Sequence, residues 1–363
     1  MSSRPSVAVI TNQTSPYQVE FMDAIAREAA VNLRVVYLHS QRPGRNWSQP
    51  AINHPHVILD GDRARLGDAF KWVSELDLVV IGYYRDALAQ ELIRRRAGQG
   101  TPWCFWGERP GVTNLGWAGA IYRRWKLRWL HRSRAGIWGI GGFALDRYRR
   151  EFGLARVYCN VPYFSNLSRF QSAQLRNFSG APGIILYSGS FIERKGVDLL
   201  ARAFRQVSNA CPNLRLVLLG DGPLRAQLER DLAACAARVT FAGFKDWSEL
   251  PKFYHEADVL CVPSRHDGWG LVVPEGLAAG LPVIGTRRTG AALELITPDS
   301  NGWLIDAGDA QQLAATLEKV SALSGDRLRE FSNAALATVS HHTLEDGVKR
   351  FNGAVAATLA AWN

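Results

Sequence analysis

The stretch CVPSRHDGWGLVVPEGLAAGLPVIGT, Cys261 to Thr286, decides how the rest of the chain reads. Val259–Pro263 is a short apolar run of the kind that makes a buried strand. Pro274 suits the first position of a helix, where its missing N–H costs nothing. Glu275 then falls in the first turn, at the positive end of the helix dipole. Gly280 suits the left-handed residue after the helix, and Pro282 prevents its continuation. Between strand and helix lie Asp267, Gly268, Trp269 and Gly270. The pattern predicts strand, loop, short helix, tight turn and strand, with two carboxylates beside a loop rich in glycine. That is a ligand-site pattern; an ordinary surface connection is the plainer alternative.

The composition sets limits around this stretch. A chain of 363 residues suits about two domains. No run of about 20 apolar residues is present, as a membrane-crossing helix requires. MSSRPSVAVITNQ enters a strand-like run with no apolar leader segment, so a cytoplasmic protein is expected. The five cysteines lack CxxC spacing and read as reduced thiols, neither a disulfide frame nor a zinc site. Charge is unevenly placed: 24 Lys and Arg face 13 Asp and Glu up to Phe170, against 19 and 20 after it. Eight of the twelve tryptophans also lie in that basic first part. Such asymmetry points to an anionic membrane surface, nucleic acid or an acidic substrate as the first part's partner.

Short apolar runs alternate with helical patterns along both halves. In the first, Ser6–Thr11, Leu33–Leu38, Leu78–Ile81, Trp103–Trp106 and Ile137–Trp138 read as strands. Val19–Ala30, Arg85–Ala97 and Ala118–Arg132 read as helices. The alternation resumes at Ile184–Tyr187 and runs through Leu214–Leu219, Val239–Phe241 and Trp303–Ile305. This is the signature of βαβ units and parallel sheets, an α/β fold. Val161–Pro182 has no clear period and reads as an interdomain linker. A last helix, Leu344–Ala361, is capped by Thr343 with Asp346 three residues on.

Tyr187-Ser188-Gly189-Ser190 closes a strand, and Arg194-Lys195-Gly196 precedes the next helix. Two cations at a helix start can hold a diphosphate, the arginine in a forked contact and the lysine as a point charge. Their plainer reading is two solvated charges on a loop. A glutamate at a helix start, such as Glu275, can accept hydrogen bonds from vicinal hydroxyls of a ribose. Otherwise it serves only the helix dipole, and Asp267 only a turn.

LYSGSFIERKGVDLLARAF, LRLVLLGDGPL, VTFAGF, ADVLCVPSRHDGWGLVVPEGLAAGLPVIGT and NGWLI follow one another from Ile184 to Ile305. In that order they resemble the retaining glycosyltransferases of family 4, among the glycosyl transferases group 1. The resemblance implies a GT-B fold: two facing Rossmann-like domains with a C-terminal crossover helix. It implies an acceptor-binding domain over residues 1–165, with the helix at about 344–363 packing back on it, and a nucleotide-sugar domain over 166–343. The family's Glu-x7-Glu appears here as Asp267-x7-Glu275, with a shorter first acid. Glu275 then corresponds to the ribose ligand, Arg194 and Lys195 to the diphosphate ligands, and Gly189 to the point where backbone approaches phosphate. Phe244 and Lys245 mark the edge for the base. Ser190, Gly268, Trp269, Gly270, Leu271 and Val272 complete the implied donor contacts, with Asp267 toward the transferred sugar.

The implied reaction moves a sugar from a UDP- or GDP-sugar to a saccharide or lipid-linked acceptor, with retained configuration, in bacterial surface polysaccharide assembly. Arg194 and Lys195 take the part of a metal, so no metal or other cofactor is expected. Asp60-Gly61-Asp62 spells DxD, but it reads as a turn. In the first half, Ser15, Pro16 and Tyr17 enter a helix and form a candidate wall on the acceptor side. Glu108, in WGERPG, stands where many relatives have a histidine near the sugar; a salt bridge to Arg109 is its plainer role. YRRWKLRWLHRSR, Tyr122 to Arg134, places Trp125, Leu127, Trp129 and Leu130 along one helical side amid six cations. It reads as a peripheral contact with an anionic membrane at its inner face, or as an ordinary amphipathic helix. No recognition motif supports nucleic acid. An epimerase or hydrolase of the same fold and a non-catalytic nucleotide- or glycan-binding protein are the alternatives.

Overall fold

Buried runs such as LVVI and VLCV are apolar on both faces, as strands are when helices cover both sides of a parallel sheet. The computed structural model describes residues 4–28, 30–41, 47–110, 116–171, 180 and 182–362. The first sheet holds β1 (Ser6–Gln13), β2 (Asn32–His39), β3 (His56–Ile58), β4 (Leu78–Ile81), β5 (Trp103–Gly107), β6 (Gly136–Gly139) and β7 (Tyr158–Asn160). The second holds β8 (Ile184–Ser188), β9 (Arg215–Leu219), β10 (Val239–Gly243), β11 (Val259–Val262), β12 (Val283–Thr286) and β13 (Gly302–Ile305). Every pair is parallel. The orders are β3-β2-β1-β4-β5-β6-β7 and β10-β9-β8-β11-β12-β13. Each is a Rossmann-like order whose direction of winding reverses once, between β1 and β4 and between β8 and β11. Loops leaving the carboxyl ends of those strands diverge and open a crevice.

Contacts divide the chain into two units. One runs to Asn166 and takes in the chain from Thr343 onward; the other is Leu167–His342. The helix Leu344–Ala360 begins with a full capping box between Thr343 and Asp346. It buries Phe351 in an aromatic cluster, with ring centroids 5.3 Å from Trp138 and 6.5 Å from Phe21 and Trp106. Trp138 Nε1 donates to Thr358 Oγ1 at 3.0 Å. In the second unit the helix Val197–Val207 sets Val197, Leu200, Ala201, Phe204 and Val207 against Leu216 and Leu218 of β9. No helix among the described residues is long and apolar enough to cross a membrane.

Several elements differ from the sequence reading. The three-residue strands β3 and β7 are too short to carry a pattern, and pairing with neighbours alone creates them. The helices Arg63–Ser74, Gly142–Phe152 and Gly325–Val339 also lacked a clear signal. Ala118–Arg132 is two helices, Gly116–Lys126 and Arg128–Arg132, because Leu127 leaves helical geometry as its side chain turns into the core. Val161, Phe164, Leu167 and Phe170 are buried, so the first part of the expected linker is packed chain. Residues 172–179 and 181 of that linker lie outside the described residues. Asp60 and Gly61 have positive φ, and Asp62 caps the helix that follows, accepting from Ala64 N at 2.8 Å. The DxD is thus a turn and a cap. Truncating Phe351→Ala removes a fully buried ring and should cost about 3–5 kcal/mol in denaturant unfolding, the range for large-to-small core changes.

Candidate functional site

Beyond β8 the chain passes Gly189 and Ser190, makes a tight turn at Glu193–Lys195, and enters the helix Val197–Val207. Beyond β11 it runs through Ser264–Leu271 into the helix Val272–Ala278. The two loops are laced together at the point where the sheet order reverses. Arg265 donates to both carboxylate oxygens of Asp198 at 2.6 Å and to Glu193 O at 2.6 Å. Arg265 N donates to Arg194 O at 2.9 Å, and Arg194 returns a bond to His266 O at 2.9 Å. Burial alone would raise the Asp198 carboxyl, but the Arg265 guanidinium outweighs it and holds the group below its ordinary value. Gly196 makes the close approach possible. Its φ is +70°, and a Cβ there would lie 2.0 Å from Pro263 O.

At the centre of this lacing Lys195 Nζ donates to Asp267 Oδ2 at 2.5 Å, and Arg194 approaches Oδ1 at 3.7 Å. The Asp267 residue is only 9% exposed. Burial pushes its carboxyl up, while Lys195 and then Arg194 pull it down further, so the net direction is below the ordinary value. Its main chain is pinned on both sides: Asp267 N donates to Arg288 O at 3.0 Å, and its carbonyl accepts from Gly290 N at 3.2 Å. Gly270, at φ +91°, carries the loop past this carboxylate, since a Cβ would sit 2.8 Å from Thr289 Cγ2.

The helix bearing Glu275 begins at Val272, two residues before the expected start. Pro274 is tolerated there because the first turn's N–H groups have no intrahelical partner in any case. Glu275 Oε2 accepts from Tyr254 Oη at 3.1 Å, and Tyr254 is fully buried. Burial and then the neighbouring Glu275 push the Tyr254 phenol well above its ordinary range, so it stays a donor. Gly280 has φ +71°, as the C-terminal reading required. The Trp269 ring is 1% exposed and stacks on His342, so the side chain belongs to the core and only the main chain belongs to the loop. Leu271 and Val272 open the helix itself. Phe244 is exposed after β10, two strands over from β8, and Lys245 lies over Phe253.

The first unit has its own crevice at the reversal between β1 and β4. A cavity of about 340 Å3 there is lined by Asn12, Gln13, Tyr17, Glu108, Arg123 and Tyr163, among others. Tyr17 and Tyr163 have ring centroids 5.0 Å apart. Pro16 is the first residue of the helix Pro16–Glu28, whereas Ser15 is buried and starts the helix through its carbonyl. The Glu108 main chain is fixed by Tyr148, whose Oη donates to its carbonyl at 2.6 Å.

The structure brings Arg194, Lys195 and Asp267 into contact, places Glu275 in the first turn of the helix that follows the Asp267 loop, and gathers Tyr17 and Glu108 in the other unit. Sequence reasoning missed Tyr254, Asp198 and Arg265, whose roles arise from contacts across the sheet and leave no local spacing. Among the described residues no group of three or more His, Cys, Asp or Glu is placed to hold a metal. The lowered Asp267 carboxyl contributes stability that is complete above the unfolded value of about 3.9 and is lost as pH falls through the folded value. The difference in unfolding free energy between the wild type and Asp267→Asn should therefore shrink as the pH of denaturant titrations drops from about 6 to about 2.

Residues 169–337, almost the whole second unit, match the family model Glycosyl transferases group 1. The lipopolysaccharide core biosynthesis glycosyltransferase LpsE of Rhizobium meliloti is 33% identical over 200 residues, 54% of each chain. The GDP-mannose-dependent monoacylated alpha-(1-6)-phosphatidylinositol monomannoside mannosyltransferase of Corynebacterium glutamicum is 26% identical over 56% of this chain and 57% of its own length. These alignments thus span little more than half of either relative. The crystal structure of Anabaena HepE in complex with UDP superposes with a TM-score of 0.73 at 16% identity, covering 98% of this chain and all of that one. That likeness extends over both units and shows the fold. The chain therefore has the two Rossmann-like domains of the GT-B fold, and its second unit carries a Glycosyl transferases group 1 domain.

Proposed function

We propose that the chain is a retaining, metal-independent glycosyltransferase that moves a sugar from a UDP- or GDP-sugar to a saccharide or lipid-linked acceptor in surface polysaccharide assembly. One observation carries this reading. Arg194 and Lys195 meet Asp267 at the switch point of the second sheet, and Glu275 lies in the first turn of the helix that leaves the same Asp267 loop, inside the domain that matches Glycosyl transferases group 1. Two relatives support the two halves of the donor assignment: one is named GDP-mannose-dependent, and the HepE crystal holds UDP. The lipopolysaccharide core role in the name of LpsE supports the acceptor class.

In this reading Glu275, held by Tyr254, accepts hydrogen bonds from the ribose hydroxyls. Arg194 and Lys195 take the diphosphate near Gly189 and Ser190, and Phe244 and Lys245 border the base. When the anomeric C–O bond breaks, both its electrons go to the phosphate oxygen. The two cations meet the charge that grows there, so they stabilise the transition state more than the bound donor. The same cations do the work that a divalent ion does elsewhere. The acceptor hydroxyl forms the new C–O bond on the face that the leaving group vacates, which keeps the configuration, and its proton passes to the departing phosphate oxygen. The first unit's cavity, with Tyr17, Tyr163 and Glu108, offers aromatic faces and a carboxylate to an acceptor sugar.

UDP or GDP should raise the melting temperature of the wild type, since a ligand of the folded state adds RT ln(1 + [L]/Kd) to stability. Glu275→Ala should weaken binding of that nucleotide by about 10-fold or more, the worth of hydrogen bonds to a charged group. Unchanged binding would remove Glu275 from the donor site. Product analysis separates transfer to a sugar acceptor from hydrolysis or epimerisation of the donor.

The chain also contacts an anionic membrane in this reading, through a face that differs from the expected one. Leu127 and Leu130 are buried. The helix Gly116–Lys126 instead presents Trp117, Ile121, Tyr122 and Trp125, four of the six exposed large hydrophobics among the described residues. At about 100° per residue these four fall within one side of the helix, with Arg124 beside them. The Lys126 ammonium and the Arg128 guanidinium each lie 5.2 Å from the Trp125 ring. Arg123 is not part of this face, because it pairs with Glu151 in a mostly buried contact. Reversing Arg124→Glu and Arg128→Glu should weaken sedimentation with anionic vesicles by more than about 10-fold, at about 1 kcal/mol per cation near the surface. Neutral vesicles should show little binding by either protein.

A further inference from the structure

We propose that Asp267 is a positioning residue that acts through Lys195: its carboxylate holds the ammonium in place for the donor diphosphate and then yields it. The inference rests on the donor-site reading above and changes the part Asp267 plays in it, from a contact with the transferred sugar to a partner of the cations.

The geometry carries it. Oδ2 takes the Lys195 ammonium at 2.5 Å, and Oδ1 faces the Arg194 guanidinium at 3.7 Å. The Asp267 side chain keeps only 12% of its exposure. Its main chain is tied to Arg288 and Gly290, so it cannot swing outward with the loop. With Oδ2 bonded to the ammonium and Oδ1 within ion-pair range of Arg194, on a short side chain with a pinned backbone, the carboxylate is directed at the two cations.

The energetics give it a function. Lysine has a long side chain and loses rotamer freedom when it engages a phosphate. Asp267 takes that loss in advance, so Lys195 is already aimed when charge develops on the leaving diphosphate. The carboxylate also competes with the diphosphate for the same ammonium, and it repels the anion directly. It therefore weakens binding of the nucleoside diphosphate itself while favouring turnover. Arg194 is the more exposed cation of the pair and keeps its bond to His266 O, so it engages phosphate without releasing its own anchor.

The test is calorimetric titration of the full chain with UDP and with GDP, without any sugar. Asp267→Asn should bind the accepted nucleotide about 10-fold more tightly, equal to about 1.4 kcal/mol. The same variant should turn over the nucleotide-sugar at least about 10-fold more slowly. Asp267→Glu keeps the charge and should stay within about threefold of the wild type in nucleotide affinity. In a Lys195→Ala background, Asp267→Asn should no longer change that affinity, because the two act as one unit. Asp267→Ser serves in the same titrations should the Asn variant not fold. Nucleotide affinity that Asp267→Asn leaves unaltered or weakens would overturn the inference, as would an equal effect with and without Lys195. Failure of the wild type to bind either nucleotide would instead overturn the donor-site reading, and this inference with it.

Discussion

The ammonium of Lys195 and the buried carboxylate of Asp267, 2.5 Å apart, join two loops that leave adjacent strands in diverging directions. Parallel sheets create that divergence wherever their winding reverses. Here the main-chain bond from Arg265 N to Arg194 O and several side-chain contacts tie the two loops together. Arg265 clamps Asp198 across the same gap, and Arg194 reaches the His266 carbonyl. Burying these charges is costly unless each is paired. The pairing explains why cations sit at a helix start where a solvated loop would otherwise be expected. It also leaves the crevice with cations already placed, the condition under which electrostatic stabilisation needs no reorganisation during a reaction.

The two units differ in where their charges lie. The second, close to neutral overall, places Arg194, Lys195 and Arg265 at one crevice. The first carries the basic excess and presents it beside exposed aromatic side chains on the helix Gly116–Lys126. Its own crevice is lined by tyrosines, amides, a carboxylate and the two arginines Arg85 and Arg123. The last helix belongs to this first unit through Phe351, Thr358 and its capping box, although the whole second unit intervenes in sequence.

Legibility followed the physics of each element. Long apolar runs such as those of β1, β4, β8 and β11 were plain, because buried strands need apolar side chains on both faces. The edge strands β3 and β7 were not, because three residues carry no period and only a neighbour's hydrogen bonds make them strands. The basic stretch misled in a specific way. Its apolar residues read as one face, yet a break at Leu127 turns Leu127 and Leu130 inward and leaves Trp117, Ile121, Tyr122 and Trp125 outside. Helical spacing predicts which residues share a side; the core that claims that side is a matter of tertiary packing.

The stretch from Cys261 to Thr286 shows where the division falls. Its strand, loop, helix, left-handed Gly280 and returning strand are local events, governed by burial period, the constraint on proline and the freedom of glycine, and all were readable in order. So was the presence of Asp267 and Glu275 on that loop and helix. The partners of those acids were not readable. Lys195 is 72 residues from Asp267, and Tyr254 is 21 residues from Glu275. Each pair meets only because parallel strands set loops and helices from distant parts of the chain side by side. Whether a carboxylate points at a ligand or holds a neighbouring cation depends on distances of a few ångströms, and those are set by packing.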